Sequence, residues 1–309
     1  MRQGDRLGGR SSVCPWELFT AVGVCTGMKL FIRIPAAIVC TLFLLPAALA
    51  QDAPASGWAE FIAWYRATPG ITDPNKVFAA YAAKLKADGV ADPAIKERIS
   101  AILKEVPRHT AEVMSIHFDN IYAEPKPPFR SEATAYLARA IEGRSPGAAL
   151  DVGMGQGRNA LHLASKGWQV TGYDVSEGGL ALARKAADAH KLQINAVRAS
   201  HDDFDFGTER WDLIVMTYSF APMEDARFLQ RLRDSLKPGG IVVVEQFNAA
   251  PGNPAGKGPA NALIKSFEGL RVIHYEDLVG PSDWGGDAPS RIGRITAQKD
   301  GPADKSVRD

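Results

Sequence analysis

Apolar residues change their period along this chain, and the change falls near residue 131. Upstream of it they recur at helical spacing. Asp73-Pro74 offers an N-cap followed by a proline at the first helical position. Val77, Phe78, Tyr81 and Leu85 then share one face, and Asp88-Gly89 stops the run. Asp92-Pro93 repeats the start signal, with Ile95, Ile99, Ile102, Leu103 and Val106 facing inward as far as Pro107. A further helix is predicted from His109 to Tyr122, and Lys126-Pro127-Pro128 breaks the chain.

Downstream, helical and continuous apolar segments alternate. The pattern predicts a helix over 131–141, a strand over 148–152, a helix over 158–166 and a strand over 168–173. A helix over 177–190 and a short strand over 195–199 follow. Next come a buried strand over 211–218, a helix over 224–236 with Phe228, Leu229, Leu232 and Leu236 inward, and the most apolar strand, 241–247. Near-continuous apolar strands alternating with helices imply a parallel sheet covered on both faces. Two last strand candidates, 270–275 and 291–298, have no helix between them, which predicts a hairpin and an antiparallel final strand. Residues 251–259 form a Gly/Pro-rich loop.

The first fifty residues read differently. Met28-Lys29 and Arg33 form a basic start, Ile34–Leu45 an apolar run, and Ala48-Leu49-Ala50 a small-residue end, the three parts of a secretory signal. The expectation is a true start at Met28, cleavage after Ala50, and an exported protein. Residues 51–130 are then a helical prefix, 131–300 an α/β domain and 301–309 a tail. All three cysteines, Cys14, Cys25 and Cys40, lie in the leader, so the exported chain would hold no thiol nucleophile, disulfide or Cys-bound zinc. Charge is balanced, with 36 Lys+Arg against 35 Asp+Glu. That argues against nucleic acid as a partner, and nothing beyond the leader points to a membrane.

Chemistry concentrates in Asp151-Val152-Gly153-Met154-Gly155-Gln156-Gly157-Arg158-Asn159, where a strand ends in a glycine-rich loop and a helix begins. Ligands of open α/β sheets sit at such strand ends. A dinucleotide loop has the pattern G-x-G-x-x-G, but here the third glycine comes one place early and an acid precedes the loop. A pyrophosphate would be repelled by that acid, whereas a ligand carrying positive charge is favoured by it. The pattern D-x-G-x-G-x-G resembles motif I of class I S-adenosylmethionine-dependent methyltransferases. Asp174, ending the second strand, Trp211-Asp212-Leu213-Ile214 and Leu236-Lys237-Pro238-Gly239-Gly240 resemble later motifs of the same family. Gly157-Arg158-Asn159-Ala160-Leu161 and Phe118-Asp119-Asn120-Ile121-Tyr122 are closest in wording to the tellurite-resistance-type members.

The resemblance implies a Rossmann-like sheet of order 3-2-1-4-5-7-6 with strand 7 antiparallel. It implies S-adenosylmethionine as cofactor, held by Asp151, Gly153, Met154, Gly155, Gly157, Asn159, Asp174, Val175 and Tyr218, with Asp174 on the ribose hydroxyls. The adenine contact falls to Asp202 or Asp203, or else Ser200 and His201 replace them. Arg158 either holds the cofactor carboxylate or is a solvated first-turn residue. Tyr122, Tyr218 and Glu245 are the candidates for a catalytic role, with Tyr122 part of a lid. The absence of an Asn/Asp-Pro-Pro-Tyr segment, and of cysteine after the leader, sets aside DNA-base methylation, leaving a small-molecule acceptor, and no metal-ligand spacing is present. A different reading, a non-catalytic extracytoplasmic binding protein on the same scaffold, draws on the export signal; the intact acid and glycines speak for the enzyme.

Overall fold

Residues 57–248, 261–284 and 286–301 are described by a computed structural model. The leader, the Gly/Pro-rich loop and most of the tail lie outside these residues. Four helices form the prefix: α1 (Trp58–Ala67), α2 (Pro74–Ala87), α3 (Asp92–Glu105) and α4 (Thr110–Tyr122), with a 3₁₀ turn at Val106–Arg108 before the last. Asp73 caps α2 as expected, accepting from the Asn75 N–H at 3.0 Å. Asp92 does not cap α3; it is the first helical residue, and its carboxylate pairs with Lys86 instead. Phe61 and Tyr65 of α1, Val77, Tyr81 and Leu85 of α2, Ile102 of α3 and Val113 of α4 close a core belonging to the prefix.

The α/β part runs α5 (Ala135–Ala140), β1 (Ala148–Val152), α6 (Arg158–Ser165), β2 (Gln169–Asp174), α7 (Glu177–Ala189), β3 (Ile194–Arg198) and β4 (Trp211–Thr217). It ends with α8 (Ala226–Ser235), β5 (Leu236–Phe247), α9 (Ala262–Ser266), β6 (Arg271–Ser282) and β7 (Gly286–Gln298). The seven-stranded sheet has the order β3-β2-β1-β4-β5-β7-β6, with β7 antiparallel to both neighbours. Alternation within strands divides the core between the two faces. Leu150, Val152, Ile214, Met216, Val242 and Val244 face α8 and α9. Ala149, Leu213, Val215, Ile241 and Val243 face α5, α6 and α7.

Departures from the sequence pattern have local causes. The helix expected over 131–141 is confined to α5, because the N–H groups of Thr134 and Ala135 are taken by Asn159 Oδ1 and Asp283 Oδ2, each at 3.0 Å, rather than by a helical turn. The final strands extend well past their apolar segments, since pairing along the β6–β7 ladder carries polar and glycine positions with it. Helix α9 had no periodic signal.

Candidate active site

Strand β1 lies inside the sheet, beside the middle strand β4, and the loop after it opens into a cavity of about 640 Å³ above the strand ends. This is the place where an open α/β sheet binds ligands. Gly153 and Gly155 take left-handed backbones, φ 64° and 51°, which fold the chain sharply back before α6. A Cβ on Gly153 would lie 2.9 Å from that of Ser219, so the loop is packed against the end of β4.

Gly153, Met154, Gly155, Asn159, Asp174, Val175, Asp202, Tyr122 and Tyr218 all line this cavity, so nine of the candidate residues meet at one place. Asp174 accepts from the Gly155 N–H at 2.9 Å and, with its other oxygen, from the Ser176 N–H at 2.8 Å. Burial raises its pKa, partly offset by those two donors. Asn159 faces the cavity while its amide donates to Thr217 Oγ1 at 2.7 Å and accepts from the Thr134 N–H. It ties α6 to β4 and to the segment before α5. Of the two adjacent acids, Asp202 reaches the cavity together with Ser200 and His201. Asp203 turns away into a tight loop, bonded to the Ser200 hydroxyl at 2.7 Å.

Four expectations are corrected by position. Gly157 lies behind the loop, against Ala183, and does not line the cavity. Asp203 is the second, as above. Glu245 is the third: it is fully buried in a layer below the cavity, accepting from the Tyr218 hydroxyl at 2.8 Å and from Arg294 Nε at 2.6 Å. It positions Tyr218 and does not line the cavity. Tyr218 itself is held with a left-handed backbone, φ 52°, its N–H also bonded to the Glu245 carbonyl. Burial and the neighbouring Glu245 carboxylate raise its pKa far above the ordinary tyrosine value, so it is no proton acceptor at neutral pH.

Asp151 is the fourth. It is buried beneath the loop, does not line the cavity, and its Oδ2 has no hydrogen-bond partner among the described residues. Burial pushes its carboxyl up to about 7, with the Ala160 N–H and Arg158 acting in the opposite direction. Between about pH 4 and 7 the folded cofactor-free protein therefore keeps a proton that the unfolded chain has released. Stability contributed by this site falls as pH rises through that window. Asp151→Asn should consequently gain stability over the parent as pH goes from about 5 to about 8, read as the difference between urea midpoints. A pH-independent difference would mean the Asp151 carboxyl is ionised throughout.

Arg158 resolves its alternatives in favour of the cavity. It is buried, lines the cavity and donates Nη1 to the Asp283 carbonyl at 2.9 Å, while Nη2 has no hydrogen-bond partner among the described residues. A buried guanidinium with an unused donor fits a carboxylate. The prefix closes the other side. Asp119 of α4 accepts from the Ser176 hydroxyl at 2.7 Å and the Gly178 N–H at 2.9 Å, docking α4 on the start of α7. Tyr122 then lies over Gly155 and Gly179, with its hydroxyl where a Gly155 Cβ would stand.

Phe118, Phe129, Phe220 and Trp284 complete the wall. Sequence reading missed Phe129 and Trp284, since neither sits in a motif and Trp284 arrives from the β6–β7 turn. Among the described residues no cluster has the make-up of a metal site, and no helix is long and apolar enough to cross a membrane.

This sheet order, with its glycine loop after β1, is the class I methyltransferase fold. Residues 149–240 match the family described as Methyltransferase domain. Among curated proteins, a ubiquinone biosynthesis O-methyltransferase of Ruegeria pomeroyi is 29% identical over 136 residues, 44% of this chain and 51% of that protein. TehB of Haemophilus influenzae is 29% identical over 103 residues, 32% of this chain and 36% of its own. The chain thus spans about half or less of the length of these relatives. A solved structure from echinomycin biosynthesis, of a protein converting a disulfide bond into a thioacetal group, shares the fold. It has a TM-score of 0.50 and 23% identity, and covers 62% of this chain and 96% of its own. The cofactor of this domain is S-adenosylmethionine.

Proposed function

We propose that this chain transfers a methyl group from S-adenosylmethionine to a small-molecule acceptor by in-line displacement. The observation that carries the reading is one cavity lined together by the folded-back glycine loop, Asp174 and buried Arg158, whose Nη2 has no hydrogen-bond partner among the described residues. These groups suit three separate parts of the cofactor. Arg158 would hold its carboxylate, and Asp174, with lone pairs left after two backbone bonds, its vicinal diol. The 200–202 segment would flank its base. The bound cofactor supplies a methyl group already activated on a sulfonium, so the protein mainly aligns reactants and keeps water out. Tyr122 serves the second purpose, standing over the loop from the docked prefix. The name of the Ruegeria relative, an O-methyltransferase of ubiquinone biosynthesis, supports an acceptor of small-molecule size.

Calorimetric titration of the full chain with S-adenosylmethionine is the direct test. Asp174→Ala should weaken binding by about 1–3 kcal/mol, the cost of leaving buried hydroxyls unpaired. NAD should give no heat, because the Asp174 carboxylate stands beside the glycine loop, where a pyrophosphate would need donors alone. Micromolar binding of NAD, or an unchanged Kd in folded Asp174→Ala, would overturn the assignment.

A further inference from the structure

The hairpin of β6 and β7 runs past the rest of the sheet. Strand β7 pairs with β5 only as far as Ile292, opposite Phe247, whereas its ladder with β6 continues to Gly286, opposite Ser282. The outer arm of the hairpin thus has no third strand beside it among the described residues. Its place above the strand ends rests on contacts at the tip. There the Asp283 carbonyl accepts from Arg158 Nη1 at 2.9 Å, and the Asp283 carboxylate accepts from the Ala135 N–H at 3.0 Å. Trp284 comes next in the chain and lines the cavity. The centroid of its ring stands 5.3 Å from that of Phe129, 5.8 Å from Phe247, 5.9 Å from Phe220 and 6.0 Å from Tyr218.

The guanidinium that holds the tip also reaches the connector carrying Phe129, since Nη1 lies 3.4 Å from the Glu132 carbonyl. Arg158 therefore meets hairpin and connector through one nitrogen, while Nη2 has no hydrogen-bond partner among the described residues. A guanidinium held by one nitrogen can turn about that contact. A carboxylate on the other nitrogen, in a charge-assisted pair about twice as strong as a neutral hydrogen bond, stops the turning. The strand order separates Trp284 from the base of the cofactor. The 200–202 segment follows β3, at one border of the sheet. Tyr218 follows β4 and Phe247 ends β5, both on the other side of β1.

We propose, resting on the cofactor reading above, that Arg158 and Asp283 are positioning residues for Trp284, which forms the acceptor-side wall of the cavity. The cofactor carboxylate on Nη2 fixes the guanidinium, Nη1 fixes the Asp283 carbonyl, and the ring of the next residue is thereby set against Phe129 and Tyr218. The wall is complete only with the cofactor in place, so the acceptor meets its finished site after the cofactor has bound. Linkage makes the coupling reciprocal. Loosening the tip must weaken any ligand that carries the carboxylate, and must leave alone a ligand that lacks it.

The test compares two ligands on the full chain. S-adenosylhomocysteine carries the amino-acid carboxylate; methylthioadenosine keeps the base, ribose and thioether but lacks it. Fluorotryptophan labelling reports the six tryptophans by fluorine NMR, and the Trp284 resonance is the one lost in Trp284→Phe. Saturating S-adenosylhomocysteine should shift that resonance, and saturating methylthioadenosine should leave it at its ligand-free position. Arg158→Gln with S-adenosylhomocysteine should behave like the parent with methylthioadenosine. In calorimetry, Trp284→Ala should weaken S-adenosylhomocysteine about fivefold, Trp284→Phe should recover most of that loss, and methylthioadenosine should stay within about twofold of its parent affinity in both. An equal response of Trp284 to the two ligands would overturn the coupling. So would a Trp284 resonance unmoved by bound S-adenosylhomocysteine, or an equal loss of affinity for both ligands in Trp284→Ala. Each of these leaves the methyltransferase reading standing, whereas failure of the parent to bind S-adenosylhomocysteine would overturn both.

Discussion

Replacing Glu245 by Ala should destabilise the fold by about 3–5 kcal/mol, the range for breaking a buried ion pair from one side. The side chain has no exposed surface, and its partner Arg294 is only 13% exposed. Removing the carboxylate leaves the guanidinium with Glu276, at 2.9 Å, as its only remaining carboxylate partner among the described residues. It also strips the Tyr218 hydroxyl of its acceptor. Tyr218 would then lose the bond that helps hold its left-handed backbone, and the cavity wall would move with it. Glu245→Gln keeps the shape and an acceptor for Tyr218, so it should cost clearly less. Urea unfolding of both variants checks the order; a Glu245→Ala protein within about 1 kcal/mol of the parent would mean the pair adds nothing to the fold.

Gly155→Val should lose about 2–5 kcal/mol of stability, from a left-handed residue made to carry a branched side chain and from overpacking. The overpacking has an identified victim. The new Cβ would enter the place of the Tyr122 hydroxyl, so α4 could stay docked through Asp119 only if the Tyr122 ring swung out. The substitution should therefore reach the prefix, far along the chain from the loop, and should abolish detectable binding of S-adenosylmethionine. A double-mutant cycle with Tyr122→Ala separates the two causes. Removing the ring relieves the collision but not the backbone strain, so the combined loss should fall short of the sum by about 1–3 kcal/mol. Strict additivity would show that Tyr122 and the loop do not touch in solution.

Both variants act through contacts that no local pattern announces. The sequence does announce the scaffold. Continuous apolar strands bounded by helices predict a covered parallel sheet, and the missing helix after residue 275 predicts the antiparallel β7, because side-chain period and connection length are local properties. The acid–glycine loop and Asp174 are legible for a similar reason: a tight turn at a strand end demands glycine in short order, wherever the chain goes next. Glu245 closes an apolar strand at the edge where ligands bind, and from sequence alone it looks catalytic. Only Arg294, brought alongside by β7, shows that it is a buried anchor for Tyr218. Asp202 and Asp203 carry the same chemistry and were inseparable until one turn, closed by Ser200, pointed one into the cavity and the other out. Phe129 and Trp284 sit in no motif, and they meet at 5.3 Å because the prefix and the final hairpin close over the same strand ends. Backbone propensities and side-chain period are read within a dozen residues, so they determined the elements and their order; which side chains face one another across the cavity depends on segments joined only by folding, and that was left to the tertiary structure.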